Sequence, residues 1–117
     1  LILCNDGIEK TTYWDENGQI REERIFIYKE QIWKTTYWYK NGQIKSEVNR
    51  KYFLDCRGSD RYGKSNEWYK NGQIKSELNY KNGVLDGIQK WWHEDGQIRS
   101  ESNWKDGECI SGDCQDR

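Results

Sequence analysis

A single histidine, four cysteines and many carboxylates are the residues of this chain that are best suited to chemistry. General acid–base or nucleophilic catalysis needs a base within reach of a nucleophile or an acid. The chain contains a segment that is repeated four times, and His93 lies at the position that the other three copies fill with Asp15, Tyr39 and Tyr69. Such variation indicates a surface position. Most carboxylates alternate with Lys or Arg, a pattern typical of a solvated face. We therefore predict a protein that is not an enzyme and has no catalytic residue.

The cysteines suggest disulfides more readily than a metal site. Cys109 and Cys114 enclose a short Gly-containing loop and form a candidate disulfide. Cys4 and Cys56 would pair if the first strand lies near an insertion that the repeat spacing predicts at about residues 57–62. Zinc needs four ligands, and the sequence has neither a Cys-x-x-Cys pair nor a nearby His, so we expect no metal and no other cofactor. An even cysteine count in a small domain favours a periplasmic, surface or secreted location, with free cytosolic thiols as the alternative.

The composition predicts strands rather than helices. Pro, Met and Ala are absent, whereas the 117 residues include 7 Trp and 8 Tyr, which favour strands and supply a large apolar area per residue. The net charge is only −1 and Glu is interleaved with Lys, so no basic stripe for nucleic acid is visible. No segment has the length and apolar character of a membrane span. The apolar stretch at residues 1–4 fits a first strand, although it also resembles the end of a lipoprotein signal.

A turn motif that recurs four times organises the chain. Its copies are Asn17-Gly18-Gln19-Ile20, Asn41-Gly42-Gln43-Ile44, Asn71-Gly72-Gln73-Ile74 and Asp95-Gly96-Gln97-Ile98, at spacings of 24, 30 and 24 residues. We predict one repeat domain over 1–117, with hairpin repeats at approximately 5–28, 29–56, 63–80 and 81–108. The longer spacing predicts an insertion near 57–62, a polar loop that contains Gly, and the repeats leave a Cys-containing tail at 109–117.

Each repeat is predicted to be a β-hairpin. Asn-Gly is typical of a two-residue turn, and with such a loop Trp14 faces Arg21 while Tyr13 faces Glu22. Every Trp would then lie under the stem of a Lys or Arg, with a Glu column neutralising the cations. A three-residue loop with a Gly bulge would instead bring Trp onto the Ile face, and the sequence leaves that register open.

Four columns follow from this alignment. They are Trp14, Trp38, Trp68 and Trp92; Ile20, Ile44, Ile74 and Ile98; Arg21, Lys45, Lys75 and Arg99; and Glu23, Glu47, Glu77 and Glu101. The predicted fold class is all-β, an elongated antiparallel meander of tandem hairpins with little or no helix. Because recurrent residues are best explained by architecture, what distinguishes this chain should lie off these columns, for example at the variable position of Asp15 and His93.

The repeated segments resemble a known family. Residues 40–47, 68–77 and 79–87 are similar to the bacterial variant of the MORN repeat, and the resemblance covers about residues 5–108. It implies a repeat scaffold without catalytic residues. Similar proteins are often described as the antitoxin half of YwqK-type toxin–antitoxin pairs, and others are secreted or surface proteins.

Two functions remain open at this level. The first is a scaffold for protein–protein interaction, with a cognate toxin or another copy of the chain as partner. The second is a secreted or surface module that uses aromatic rings as platforms for glycans or lipid head groups. The candidate interaction surface for either function comprises Tyr37, Tyr39, Tyr69, Trp91 and His93.

Overall fold

The Trp- and Tyr-rich segments form a single antiparallel sheet in the computed structural model, which describes residues 8–28, 30–52 and 58–114. Its eleven strands are β1 (Ile8–Trp14), β2 (Ile20–Ile27), β3 (Ile32–Trp38), β4 (Ile44–Tyr52), β5 (Ser59–Arg61), β6 (Gly63–Trp68), β7 (Ile74–Lys81), β8 (Val84–Leu85), β9 (Gly87–Trp92), β10 (Ile98–Lys105) and β11 (Glu108–Gly112). The pairing order is β1-β2-β3-β4-β6-β7-β9-β10-β11, with β5 on β4 and β8 on β7. The predicted all-β meander of tandem hairpins is confirmed.

The sheet is thin and has no helical layer within the described ranges. Its principal extents are 41 × 41 × 16 Å. In this part of the chain no helix has the length and apolar character to cross a bilayer. Only one large apolar side chain among the described residues is buried, that of Trp104, which is 7% exposed. The small hydroxyl side chains of Ser76, Ser100 and Ser102 are buried instead, so close approach of neighbouring strands replaces a thick core.

Each of the four repeated turns, at Asn17, Asn41, Asn71 and Asp95, is a three-residue loop, and we call these turns tips 1 to 4. In tip 2 the N–H of Gly42 donates to the carbonyl of Tyr39 over 3.0 Å, and the N–H of Tyr39 donates to the carbonyl of Gln43 over 2.8 Å. Gly42 has a φ of 88°, whereas Asn41 keeps a negative φ. This is a type I turn closed by a Gly bulge, and only the Gly needs the left-handed conformation.

The loop type corrects the predicted pairing of Trp with a cation. Trp14 pairs with Ile20, and the other three Trp residues of the column pair with Ile44, Ile74 and Ile98. The prediction from a two-residue loop was wrong at this position, and the alternative register with Trp opposite Ile holds. A second bulge, at Arg21 in the first hairpin, then restores the predicted pairing of Tyr13 with Glu22.

The Glu column also has other partners than expected. The observed ion pairs are Lys10–Glu23 at 3.4 Å, Lys34–Glu47 at 3.4 Å, Lys64–Glu77 at 3.1 Å and Lys90–Glu101 at 3.9 Å. These lysines lie on the strand that precedes each tip, so they form a row of cross-strand pairs. Exposed pairs of this kind contribute about 0.2–1 kcal/mol each, and the row mainly keeps one face of the sheet neutral.

A buried amide closes a gap between β7 and β9. Gln89 is 0% exposed, and its side-chain oxygen accepts a hydrogen bond from the N–H of Asn79 over 2.6 Å. Its amide group donates to the carbonyls of Asn79 and Gly87, each over 3.2 Å. The side chain therefore satisfies backbone groups where the ladder between the two strands is interrupted.

The connection between the second and third hairpins differs from the expected loop. Residues 59–61 form strand β5, in which Lys51 pairs with Asp60 and Arg50 with Arg61. The equivalent pair in the next connection is Lys81 with Val84. The six additional residues therefore fall between Lys51 and Asp60.

A disulfide closes the C-terminal end of the described chain. It joins Cys109 and Cys114, whose Cα atoms are 5.6 Å apart. The candidate pair of Cys4 and Cys56 lies outside the described residues, as does the apolar stretch at residues 1–4.

Candidate interaction groove at the hairpin tips

Tyrosine hydroxyls join consecutive tips of the sheet. The hydroxyl of Tyr39 donates a hydrogen bond to the carbonyl of Trp68 over 2.7 Å, and the hydroxyl of Tyr69 donates to the carbonyl of Trp92 over 2.7 Å. Both rings are half-buried. Each Tyr therefore fixes its own tip against the strand that leads into the next tip, and we call this set of contacts the tip ladder.

The Asn-Gly-Gln motif completes the ladder. The Asn41 amide donates to the carbonyl of Lys70 over 3.0 Å, while its oxygen accepts from the N–H of Gln43 over 2.9 Å. The Gln43 side chain lies against Gly72, where a Cβ atom would be 3.3 Å from the Gln oxygen. The same contacts join tip 3 to tip 4. The repeated motif is thus explained by the stacking of tips and needs no ligand.

The ladder is interrupted at tip 1, where Asp15 occupies the Tyr position. The carboxylate of Asp15 accepts hydrogen bonds from the N–H groups of Asn17 and Gln19 over 2.9 and 3.0 Å, both within its own turn. A carboxylate is shorter than a tyrosine and, when ionised, cannot donate to the carbonyl of Trp38. The space that the aromatic ring would fill is left open.

This space is a groove of about 630 Å³ between tips 1 and 2, which we call the tip groove. Its volume lies in the range of about 300–1,000 Å³ that is usual for binding sites. The lining residues are Asp15, Ile20, Arg21, Trp38, Tyr39, Lys40, Asn41, Lys45 and Lys70. An aromatic and aliphatic floor is therefore combined with a polar rim, an arrangement common in binding sites.

The rim of the tip groove is cationic. It contains Arg21, Lys40, Lys45 and Lys70 but a single carboxylate, that of Asp15. The ammonium groups of Lys45 and Lys70 lie 5.7 and 6.0 Å from the centroid of the Tyr39 ring. Among the described residues, none of the four cations forms an ion pair with a carboxylate. The groove concentrates positive charge on a chain whose net charge is −1.

A second aromatic region lies at the other end of β2 and β3, and most of its side chains contact one another. Phe26 stacks on Trp33 with ring centroids 4.9 Å apart, and on Tyr28 and Tyr52 at 5.8 and 5.7 Å. The Tyr28 hydroxyl donates to Glu9, which raises the pKa of that phenol, and burial raises the pKa of Tyr52. Both tyrosines therefore remain neutral hydrogen-bonding groups at neutral pH.

An arginine ties this region to the neighbouring carboxylate. Arg24 donates to Glu22, a contact that raises the pKa of the guanidinium, and its charge lies 5.2 Å from the centroid of the Tyr13 ring. The charged and aromatic side chains of this region therefore interact with one another. The region offers fewer free groups to a partner than the tip groove does.

The structure separates the five residues of the predicted interaction surface. Tyr39 lines the tip groove, whereas Tyr37, Tyr69, Trp91 and His93 do not. Tyr69 belongs to the ladder, and His93 is exposed at tip 4, where the ladder ends within the described chain.

The remaining two aromatic residues lie on the face of the sheet that carries the buried serines. Tyr37 pairs with Glu22 and Ser46, and Trp91 pairs with Ser76 and Ser100.

Sequence reasoning had not identified the four cations of the tip groove as a cluster. The available signal was the position of Asp15, the one acidic residue in a column that otherwise holds two Tyr and a His. Within the described ranges, no three His, Cys, Asp or Glu side chains lie close enough together to hold a metal ion.

A family model matches four stretches of the chain. It describes the MORN repeat variant, and it matches residues 7–28, 34–52, 61–82 and 85–106, which together are most of the sequence. Each matched stretch includes one tip with parts of the strands on either side. Comparison with curated proteins and with solved structures gives no match.

Proposed function

This chain belongs to the MORN repeat variant family, whose repeats generally form modules that bind proteins or membranes, and we propose that it is a non-enzymatic scaffold that binds a protein partner in the tip groove. One observation carries the proposal. The tip ladder uses the repeated Tyr, Asn and Gln side chains for the fold itself, and at Asp15 the ladder opens into a groove whose rim cations have no ion pair with a described carboxylate.

The chemistry of the tip groove suits a protein interface. Trp, Tyr and Arg are the side chains that most often dominate the energy of protein–protein contacts, and the groove contains Trp38, Tyr39 and Arg21. Arg21 and Lys40 are exposed at the rim, while Trp38 and Tyr39 are half-buried below them. An apolar centre surrounded by solvated charges is the usual anatomy of such an interface.

A cognate toxin is one partner that would fit this function, which would then be antitoxin-like. The family resemblance motivates that narrower proposal, and the coding sequence next to this one is the simplest observation that bears on it. A toxin gene there would support the antitoxin role, and a gene for a surface or secretion system would argue against it.

Photo-crosslinking at a single residue tests binding in the groove. A benzoylphenylalanine in place of Lys40 should crosslink to a discrete protein in the cells that produce this chain, whereas the same residue in place of Lys105 should not, because Lys105 is exposed at the opposite end of the strands. If neither site crosslinks to a protein while the purified chain binds a glycan array or lipid vesicles, the alternative of an aromatic platform for glycans or head groups replaces this proposal.

Self-assembly through β1 is a second proposed function, and a specific observation favours it. β1 reads IEKTTYW and β3 reads IWKTTYW, so the strand at the edge of the described sheet has nearly the sequence of an interior strand. Thr35 and Thr36 in β3 are 7% and 8% exposed, whereas Trp14 at the end of β1 is 61% exposed. An open edge of this kind can pair with a strand of a second copy.

Sedimentation over a range of concentrations tests self-assembly. We expect a dimer that is weakened by Thr11→Lys in β1, because charge on an edge strand opposes pairing. The matched variant Ile110→Lys, in β11 at the other edge, should leave the dimer intact. A monomer at every concentration would remove this second function.

A further inference from the structure

We infer that the tip groove takes an acidic peptide segment of the partner, with carboxylates at Arg21, Lys40, Lys45 and Lys70 and an apolar side chain on Trp38. The inference rests on the proposed function, and it adds the chemical class of the bound segment. The observations that carry it are the charge of the rim, the convergence of two lysines on one ring, the apolar floor, and the acidic tips at both ends of the tip row.

The rim cations are distinguished from the other described cations by lying together at one opening without an acidic partner among the described residues. Six described cations form ion pairs, namely Lys10, Arg24, Lys34, Lys64, Lys75 and Lys90. The four cations of the tip groove form none with a described carboxylate and are gathered around one opening. Like charges held together repel one another, and a ligand that brings carboxylates removes this repulsion.

Two of these cations come from different tips and meet at Tyr39. Lys45 follows tip 2 and Lys70 belongs to tip 3, yet both ammonium groups lie within 6.0 Å of the same ring centroid. The Tyr39 hydroxyl is fixed by its bond to the carbonyl of Trp68. The ring is therefore a fixed platform, and a segment that crosses it would meet positive charge from two hairpins.

The floor of the groove adds an apolar requirement. Ile20 and Trp38 are half-buried and lie on adjacent hairpins, where they face the opening between tips 1 and 2. A peptide that carries one apolar side chain between its acidic residues would cover this floor. Such burial of apolar surface adds to charge pairing that is itself modest at a solvated rim.

The distribution of acids along the tip row favours a peptide over an anionic membrane. Tip 1 carries Glu16, and tip 4 carries Glu94 and Asp95, all of them exposed. A membrane surface presents negative charge over its whole area and would meet these acidic tips at both ends of the row. A peptide can place its carboxylates only where the four cations lie, so it avoids the repulsion.

The test uses a labelled peptide with the sequence Glu-Asp-Leu-Glu-Glu, and its neutral counterpart Gln-Asn-Leu-Gln-Gln, in fluorescence anisotropy with the full chain. We expect the acidic peptide to bind at least about tenfold more tightly than the neutral one, with an affinity that falls as salt is added. Vesicles of phosphatidylcholine with phosphatidylserine serve as the membrane arm and should not bind.

Two double variants separate the groove from overall charge. Lys40→Glu with Lys70→Glu reverses the rim, whereas Lys81→Glu with Lys105→Glu makes the same change in net charge at exposed positions away from the tips. We expect at least about a tenfold loss of peptide binding in the first variant and less than about a twofold loss in the second. Circular dichroism with thermal unfolding verifies that both variants fold.

Different results would contradict the inference and the proposed function. Equal losses in the two double variants, or vesicle binding without peptide binding, would overturn the inference. No binding of the acidic peptide, together with protein crosslinking at position 40, would overturn the acidic segment and leave the proposed function standing. Absence of the crosslink as well would overturn both.

Discussion

The hydroxyl of Tyr69 donates a hydrogen bond to the backbone carbonyl of Trp92, 2.7 Å away in the next hairpin. Tyr39 makes the same bond to Trp68, whereas Asp15, at the equivalent position of the first hairpin, bonds only within its own turn. Tyr69, one of the five residues of the predicted interaction surface, is thus part of the fold. At the position where Asp15 replaces this Tyr, the tip groove lies open.

The ladder predicts the cost of removing a single hydroxyl. Tyr69→Phe should lower the free energy of unfolding by about 1 kcal/mol, because the carbonyl of Trp92 loses a partner in a half-buried site. Tyr37→Phe is the control, since that hydroxyl makes no hydrogen bond to a described residue, and it should change stability by less than about 0.5 kcal/mol. Urea denaturation of the two variants measures the difference, and equal effects would contradict the ladder.

Gln89 is expected to be among the most sensitive polar residues of the sheet. Gln89→Leu retains most of the volume but leaves the N–H of Asn79 without its partner, which should cost about 1–3 kcal/mol, while the carbonyl of Asn79 keeps its hydrogen bond from the N–H of Asp86. The same change at the exposed Gln97 in tip 4 should be nearly neutral. Thermal unfolding compares the two, and a small effect at position 89 would show that water satisfies the gap between β7 and β9.

The end of β11 depends on a glycine that approaches the backbone of β10. A Cβ atom at Gly112 would be 2.8 Å from the Cα of Ser102, and the residue has a φ of 85°. Gly112→Ala should therefore destabilise the sheet by more than about 2 kcal/mol, since strain and a clash add. At Gly18 the φ is 79° and no atom lies within 4 Å, so Gly18→Ala should cost only about 1 kcal/mol. Equal costs in chemical denaturation would argue against the close approach.

The C-terminal disulfide makes a prediction about redox state. Intact-mass analysis should show a gain of about 2 Da on reduction for the bond between Cys109 and Cys114, and Cys114→Ser should lower stability by about 2 kcal/mol, as expected for a short closed loop. Peptide mapping assigns the bond. Alkylation of Cys109 in the unreduced protein would contradict the pairing.

Much of the fold follows from the repeated turn, yet the pairing at the turn does not. Asn-Gly is compatible with a two-residue turn and with a three-residue turn closed by a bulge, because both need a left-handed Gly. The four repeated turns adopt the second, so Trp14 meets Ile20 rather than Arg21. The bulge at Arg21 then shifts the register back, which explains why the pairing of Tyr13 with Glu22 could be predicted from the wrong loop.

The candidate site was harder to predict because it depends on contacts between hairpins. The alignment identified Asp15 as variable, and that was the useful signal. It gave no indication that Lys45 and Lys70, which are 25 positions apart, would converge on the Tyr39 ring. Nor could the alignment show that Gln89 would enter a gap in the backbone ladder, since that gap arises from the way β8 turns back onto β7.

The central claim is that binding occurs where Asp15 interrupts the ladder, and Asp15→Tyr tests it most directly. The new ring should fill the tip groove and place its hydroxyl near the carbonyl of Trp38, so that stability changes by no more than about 1 kcal/mol while crosslinking from position 40 to the protein partner is lost. A folded Asp15→Tyr variant that crosslinks to the partner as well as the original chain does would contradict the claim.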